Sequence, residues 1–275
     1  MSQSRERLMQ TLQELGILAK RSLGQNFLVS DLVIERIINQ VKEFAPEELI
    51  EVGPGPGALT YFLRQMNVPL QLIELDSKIA AYWKEQGLEV LEEDALQLDW
   101  SRFFTGKKIV FVSNLPYQIS SSIVIERSLE ANGVEHMVLM FQKEVAQRIR
   151  APAKNEHYGL LSVIAQVFWK TAMVTEAGPR DFDPPPRVAS RVLSFSRLPT
   201  EISNRKAFLT FVKTAFAQRR KLLKSNLSGL LKQKQLTEEQ LVSLLAELGF
   251  KETARAEELS PQQFVTVFKK LGFDT

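Results

Sequence analysis

Short apolar runs alternate with helical patterns through the first two-thirds of the chain, which is how a parallel α/β sheet reads. The runs LIEV (49–52), LQLIEL (70–75), LEVL (88–91), KIVFVS (108–113) and HMVLMF (136–141) are expected strands. Helix-like stretches fall between them at 58–66, 77–86 and 120–131. Ahead of the first run, Ser30 is placed to cap a helix whose apolar positions Val33, Ile34, Ile37, Ile38 and Val41 recur at helical spacing. Two later runs, QVFWKTAMV (166–174) and SRVLSFSRL (190–198), alternate more strongly, as antiparallel strands with one wet face do. Between them lies GPRDFDPPPRVAS (178–190), whose consecutive prolines fix a stiff, extended loop. A loop of that kind carrying Phe182 is either a packing staple or part of a site. From about residue 200 only amphipathic helices follow, two of them opening on Thr-x-x-Gln-like or Ser-Pro starts and ending at Gly. The expected division is a domain at 1–199 and a small all-helical one at 200–275.

Composition narrows the chemistry. The 275 residues contain no cysteine, which removes disulfides, thiolate nucleophiles and Cys-based metal sites. His136 and His157 lie far apart and near no other ligand types, so neither a metal nor a histidine acid/base mechanism is expected. No run is long enough to span a bilayer and the N-terminus lacks a signal-peptide core, so a cytoplasmic location and no membrane partner are expected. The net charge of +3 is unevenly spread. Residues 1–201 hold 22 basic and 25 acidic side chains, a balance of −3; residues 202–275 hold 13 and 7, a balance of +6. From Ile202 to Thr237 there are nine basic residues and no acidic one, the footprint of a polyanion site or a solvated helix face.

Gly53, Gly55 and Gly57 follow the first strand directly, and Glu74 follows Gly53 by 21 residues at the end of the second. Glycines allow a tight turn and close ligand approach, and an acid at that distance can accept both ribose hydroxyls. The cofactor is thus NAD or S-adenosylmethionine. Pro54 and Pro56 remove backbone N–H groups that a pyrophosphate would want, and Glu51 adds negative charge; both favour S-adenosylmethionine. Asp94, after the third strand, is placed either to accept from an adenine amino group or to cap a helix. Glu51 is placed either as a counter-charge to a sulfonium or ammonium group or as an anchor for the loop.

The fourth strand ends in Asn114-Leu115-Pro116-Tyr117, at the sheet edge where open α/β sheets place their sites. An exocyclic amino group on a base is a poor nucleophile because its lone pair is delocalised into the ring. Two acceptors, Asn114 Oδ1 and the Leu115 carbonyl, can hold its hydrogens and expose the lone pair. Pro116 stiffens that turn and restricts Leu115 to extended geometry. Tyr117 is placed to stack on the base and Phe182 to cover its other face.

The segments GQNFL (24–28), EVGPGPGALT (51–60), IELD (73–76), EEDA (92–95), NLPYQISS (114–121), QKEVAQR (142–148), YGLLSV (158–163), FDPPPRVASRV (182–192) and AFAQRRKLLKSNL (215–227) together resemble the ribosomal RNA adenine N6,N6-dimethyltransferases, most closely their bacterial 16S branch. The resemblance covers about residues 20–230. It implies a class I S-adenosylmethionine-dependent methyltransferase with a Rossmann-like, mostly parallel seven-stranded sheet and a small all-α C-terminal domain that binds RNA. It implies dimethylation of two adjacent adenosines near the 3′ end of 16S RNA in an assembling small subunit, by a monomer needing no metal. Asn26, Leu28, Gly53, Glu74, Asp94 and Asn114 carry over as cofactor contacts, and Arg219, Arg220 and Lys221 as RNA-backbone contacts. Three other readings remain: a 23S adenine methyltransferase, a nicotinamide dehydrogenase, which gives Asn114–Tyr117 no role, and a non-catalytic assembly factor.

Overall fold

A computed structural model describes residues 2–16, 26–103 and 106–274. Gly24 and Gln25 of the GQNFL segment lie outside the described residues. By contacts the chain divides into two compact units. The first comprises residues 1–123, 132–146 and 171–197; the second comprises 124–131, 147–170 and 198–275.

The strands are β1 (Phe27–Leu28), β2 (Glu48–Val52), β3 (Leu70–Ile73), β4 (Glu89–Leu91), β5 (Ile109–Asn114), β6 (His136–Gln142), β7 (Trp169–Ala177), β8 (Phe182–Asp183) and β9 (Ser190–Arg197). Seven form one sheet in the order β4-β3-β2-β5-β6-β9-β7. The pairs from β4 through to β6 are parallel, and β9 returns antiparallel to β6. The expected mostly parallel seven-stranded sheet is therefore present. β5 is buried from Ile109 through Ser113, which explains its unbroken apolar run: a strand covered on both faces has no polar face to alternate with. β1 and β8 form a separate antiparallel ribbon, Phe27 opposite Asp183 and Leu28 opposite Phe182.

In the first unit, α1 (Gln3–Leu15) precedes β1, α2 (Asp31–Glu43) precedes β2, α3 (Thr60–Leu63) follows β2 and α4 (Ser77–Glu85) follows β3. The apolar stripe of α2, Val33, Ile34, Ile37, Ile38 and Val41, is buried as its spacing requires. Ser30 occupies the N-cap position, but its side chain makes no capping bond. Asp31 instead accepts from the Ser4 hydroxyl and backbone N–H of α1, and those bonds hold its carboxyl below the ordinary range. α1 is tied down further by Arg5, which donates through two nitrogens to Asp183 at 2.9 and 3.2 Å.

Helices α5 (Ser120–Leu129) and α6 (Lys143–Arg150) run from the first unit's residues into the second's. The second unit also contains α7 (Leu160–Phe168), α8 (Arg205–Ala215), α9 (Leu223–Gln233), α10 (Glu238–Glu247) and α11 (Pro261–Lys270). Reciprocal caps start α10 (Thr237 with Gln240) and α11 (Ser260 with Gln263), as Thr-x-x-Gln and Ser-Pro-x-Gln sequences dictate. Its core is aromatic: Phe208 meets Phe268 edge-on at 5.1 Å, and Phe211 meets Phe268 at 5.5 Å.

Two details differ from the periodicity. The strand expected at 166–174 begins only at Trp169, because residues 160–168 are the buried helix α7; a short, wholly apolar run does not separate helix from strand. The second unit also takes in residues before 199. The reason is specific bonding: the Tyr158 hydroxyl donates to the Leu259 carbonyl at 2.8 Å, and the Arg205 guanidinium donates to the Ser128 and Glu130 carbonyls.

Candidate active site

The glycine turn between β2 and α3 is built on left-handed backbone: φ is 63° at Gly53, 51° at Gly55 and 92° at Gly57. Its amides are already engaged. Gly53 N–H donates to the Ile73 carbonyl and Gly57 N–H to the Pro54 carbonyl, both at 2.9 Å, and Gly55 N–H faces Glu74 Oε2 at 3.4 Å. With prolines at 54 and 56, the turn presents no free N–H to a pyrophosphate. This disfavours a dinucleotide and suits a cationic ligand.

The turn forms one wall of a cleft of about 250 Å³, entirely within the first unit. Asn26 just before β1, Leu28 of β1, Gly53 from the turn and Asn114, Leu115, Pro116 and Tyr117 from the end of β5 all line it. The structure therefore brings seven residues named from sequence to one place. Ser113 helps align the two strand ends, its hydroxyl donating to the Val52 carbonyl at 2.5 Å. Ser120 Oγ donates to the Tyr117 carbonyl at 2.9 Å, fixing the start of α5. The Tyr117 hydroxyl lies 3.1 Å from Ser190 Oγ, which orients the ring at the cleft. Among the described residues, neither the Asn114 side chain nor the Leu115 carbonyl has a hydrogen-bond partner in the protein, so both acceptors are free for a ligand.

Two carboxyls sit at the turn. Glu51, only 2% exposed, also lines the cleft and accepts from the Thr60 hydroxyl at 2.7 Å. Burial, reinforced by the nearby Glu74 charge and opposed by the Thr60 bond, pushes its carboxyl up to about 8. Glu74, at the end of β3, accepts from Asp76 N–H at 2.9 Å and is likewise raised, chiefly by burial. It touches the turn through Gly55 without lining the cleft itself. Glu51 is the group that sequence reading left least defined. Its hydrogen-bond partner is Thr60, nine residues on, a pairing no spacing rule anticipates.

Other placements differ. Asp94 accepts from Leu96 N–H at 2.9 Å and from the Gln97 side chain at 3.4 Å, closing a turn that no helix directly follows, and it is not on the cleft wall. Phe182 does not cover the cleft. It is 1% exposed in the core cluster with Leu28, Ala177 and Val192; its β8 position turns the ring inward, so in this conformation it is the packing staple. In the second unit, Arg219 donates to Glu257 at 2.8 Å and to the Asn155 carbonyl at 3.2 Å. Arg220 and Lys221 are exposed, and no side-chain partner exists for them among the described residues. No cluster of three or more His, Cys, Asp or Glu that could hold a metal occurs among the described residues. None of the described helices is long and apolar enough to cross a membrane.

A parallel sheet with an antiparallel return, a glycine turn whose amides are engaged, and paired carboxyls beside it define a class I S-adenosylmethionine-dependent methyltransferase. Two solved structures share the fold: a dimethyladenosine transferase from Plasmodium falciparum (TM-score 0.73, 22% identity, 90% of this chain and 98% of that one) and the 23S ribosomal RNA methyltransferase ErmE (0.65, 23%, 90% and 99%). The ribosomal RNA adenine dimethylase family model matches residues 16–272. A protein of Bdellovibrio bacteriovorus called ribosomal RNA small subunit methyltransferase A is 73% identical over the whole of both chains. One of the same name from Desulfitobacterium hafniense is 39% identical over 92% of each. The chain belongs to the ribosomal RNA adenine dimethylase family. It is an enzyme that methylates ribosomal RNA with S-adenosylmethionine as donor.

Proposed function

We propose that the enzyme dimethylates N6 of two adjacent adenosines near the 3′ end of 16S ribosomal RNA, acting as a cytoplasmic monomer on the assembling small subunit. The observation that carries this reading is the pair of acceptors, Asn114 Oδ1 and the Leu115 carbonyl, unpartnered among the described residues, at the cleft that also holds the glycine turn. An adenine amino group offers two hydrogens to two such acceptors. Accepting them turns the nitrogen lone pair out of the ring plane and toward the turn. Pro116 keeps the Leu115 carbonyl in place, and Tyr117, braced on Ser190, supplies a stacking face. When bound, S-adenosylmethionine supplies an activated methyl group on a sulfonium. Asn26, Leu28 and Gly53 bound its site, Glu74 accepts from the ribose, Asn114 reaches both ligands, and Asp94 reads the adenine only if its turn opens. The chain's contribution is alignment; the proton lost from nitrogen leaves to water.

The test is labelled methyl transfer to undermethylated 30S particles and, in parallel, to protein-free 23S RNA, with base mapping of both ribosomal RNAs. Label on two adjacent 16S adenosines is expected; label confined to 23S RNA would move the chain to the other branch, whose fold is the same. The name and 73% identity of the Bdellovibrio relative support the small-subunit choice.

Glu51 makes cofactor affinity depend on pH. Its carboxyl, neutral below about 8, must ionise to face a cation. S-adenosylmethionine affinity is thus expected to rise with pH up to about 8, with proton release on binding below that. The unliganded fold shows the opposite sign: an acid raised in the folded state binds its proton more tightly there, so stability falls as pH climbs from about 4.5 to about 8. Titration calorimetry in two buffers of different ionisation heat reads the protons, and Glu51→Gln should remove the released fraction. Equal proton release in that variant would assign the titration elsewhere.

The exposed basic residues are proposed to contact RNA phosphates. Because Arg219 is already paired with Glu257, Arg220→Ala with Lys221→Ala should lower the slope of log affinity against log salt by about one to two. Arg219→Ala should change it less. Filter binding across a potassium chloride series measures this, and an unchanged slope returns the block to a solvated face.

A further inference from the structure

A Gly-Pro-Gly-Pro-Gly sequence does not by itself hold three left-handed glycines in one conformation; glycine is free to leave it. The group that restrains the turn comes from outside it. Trp83, in the last turns of α4, is 0% exposed. Its indole N–H donates to the Gly55 carbonyl at 2.9 Å, while Gly55 N–H faces Glu74, so Gly55 is held on both sides. The indole edge also fills the space beside Gly57, where a Cβ would fall 2.6 Å from Trp83 Cη2 and Cζ2.

Trp83 is itself braced. Tyr61 and Tyr82 meet its ring edge-on at 5.4 and 5.0 Å. The Tyr61 hydroxyl lies 2.8 Å from Thr11 Oγ1 and 3.1 Å from the Tyr82 hydroxyl, which donates to Glu14 at 3.2 Å. Thr11 and Glu14 belong to α1, which precedes the start of the family match at residue 16. The brace therefore runs from an N-terminal helix outside the matched region, through two tyrosines, to the turn.

We propose that Trp83 is a positioning residue for cofactor binding, acting through Gly55 and Gly57 without touching the ligand. It does not line the cleft. The inference rests on the reading that the glycine turn carries S-adenosylmethionine.

Trp83→Phe keeps a ring in the core and removes the N–H donor, leaving the Gly55 carbonyl unpartnered. One buried hydrogen bond corresponds to a rise of about five- to tenfold in Kd and KM for S-adenosylmethionine. The kcat at saturating cofactor and the KM for RNA should stay within about twofold, a split that general loss of stability does not produce. Tyr82→Phe removes only the hydroxyl link to Tyr61 and Glu14 and should raise the same Kd by about two- to threefold. Calorimetry on the full-length chain reads both, with Glu74→Ala as reference. If Glu74→Ala weakens binding while both aromatic variants bind as wild type, the positioning role is overturned. So is it if Trp83→Phe lowers kcat and leaves KM unchanged. If Trp83→Phe does not fold, Tyr82→Phe decides, and an unchanged Kd overturns the proposal. If Glu74→Ala binds normally, the cofactor reading of the turn fails instead.

Discussion

Replacing Asn114 by alanine is expected to cut methyl transfer by about 10²–10³-fold while leaving the fold intact. The size follows from the role proposed for it. Removing one preorganised group aimed at the reacting centre costs about that much where charge or geometry develops in the transition state, and a misplaced nucleophile costs a similar factor. Stability should change little. Asn114 is half-buried at a strand end, and its side chain bonds to nothing else in the protein among the described residues. Its backbone stays in the ladder beside Met140 of β6. RNA affinity should also persist, because phosphate contacts dominate it. Single-turnover methyl transfer at saturating cofactor, with thermal unfolding and filter binding on the same preparation, separates these. Turnover within tenfold of wild type would remove Asn114 from the chemistry. Loss of turnover with a matching loss of fold would make it structural.

What was legible in the sequence is what local pattern controls. β5 reads as a buried strand because Ile109 to Val112 leave no polar face, and its end is marked where Pro116 forbids further pairing. That alone places Asn114 at the sheet edge. The glycine turn is legible because left-handed backbone leaves a compositional trace. Less legible is whatever depends on packing between distant segments. The ring of Phe182 points into the core because β8 pairs with β1, 154 to 156 residues earlier by register, and no periodicity announces a two-residue ribbon. Asp94 as a turn former and as a ligand give the same sequence; only the fold shows its carboxyl bonded to the Leu96 N–H. Trp83 reads as an ordinary apolar position of an amphipathic helix, and only the fold brings its N–H to Gly55. The division into units follows the same rule. Tyr158 and Arg205 join their unit through carbonyls of Leu259 and Ser128, contacts to backbone that carry no residue identity.

Gly57→Ala is the substitution expected to damage cofactor binding most through the backbone. Two costs add. An alanine at φ 92° sits in a conformation that L-residues avoid, at about 1–2 kcal/mol. Its Cβ would also fall 2.6 Å from two Trp83 atoms and 2.9 Å from Tyr61 Cε2. Neither ring can yield freely: Trp83 is fully buried and bonded to Gly55, and Tyr61 is held by Thr11 and Tyr82. Overpacking of that kind costs about a further 1–3 kcal/mol. The turn, whose glycines can change φ and ψ more freely than the helical residues of α4, is the part expected to move, and its movement displaces Gly53 and Gly55 at the cleft wall. Affinity for S-adenosylmethionine should therefore fall by at least about tenfold, with a lower unfolding midpoint. Gly87→Ala supplies the control, since Gly87 also has a positive φ, 78°, but its added Cβ would meet nothing within 4 Å. It carries the backbone cost alone and should bind cofactor as wild type does. If the two variants lose the same stability and both keep full affinity, the overlap with Trp83 is relieved without moving the turn, and the rigidity ascribed to the Trp83–Tyr61 wall is wrong. If Gly57→Ala alone loses affinity, the conformation of the turn, and not glycine's flexibility, is what the cofactor requires.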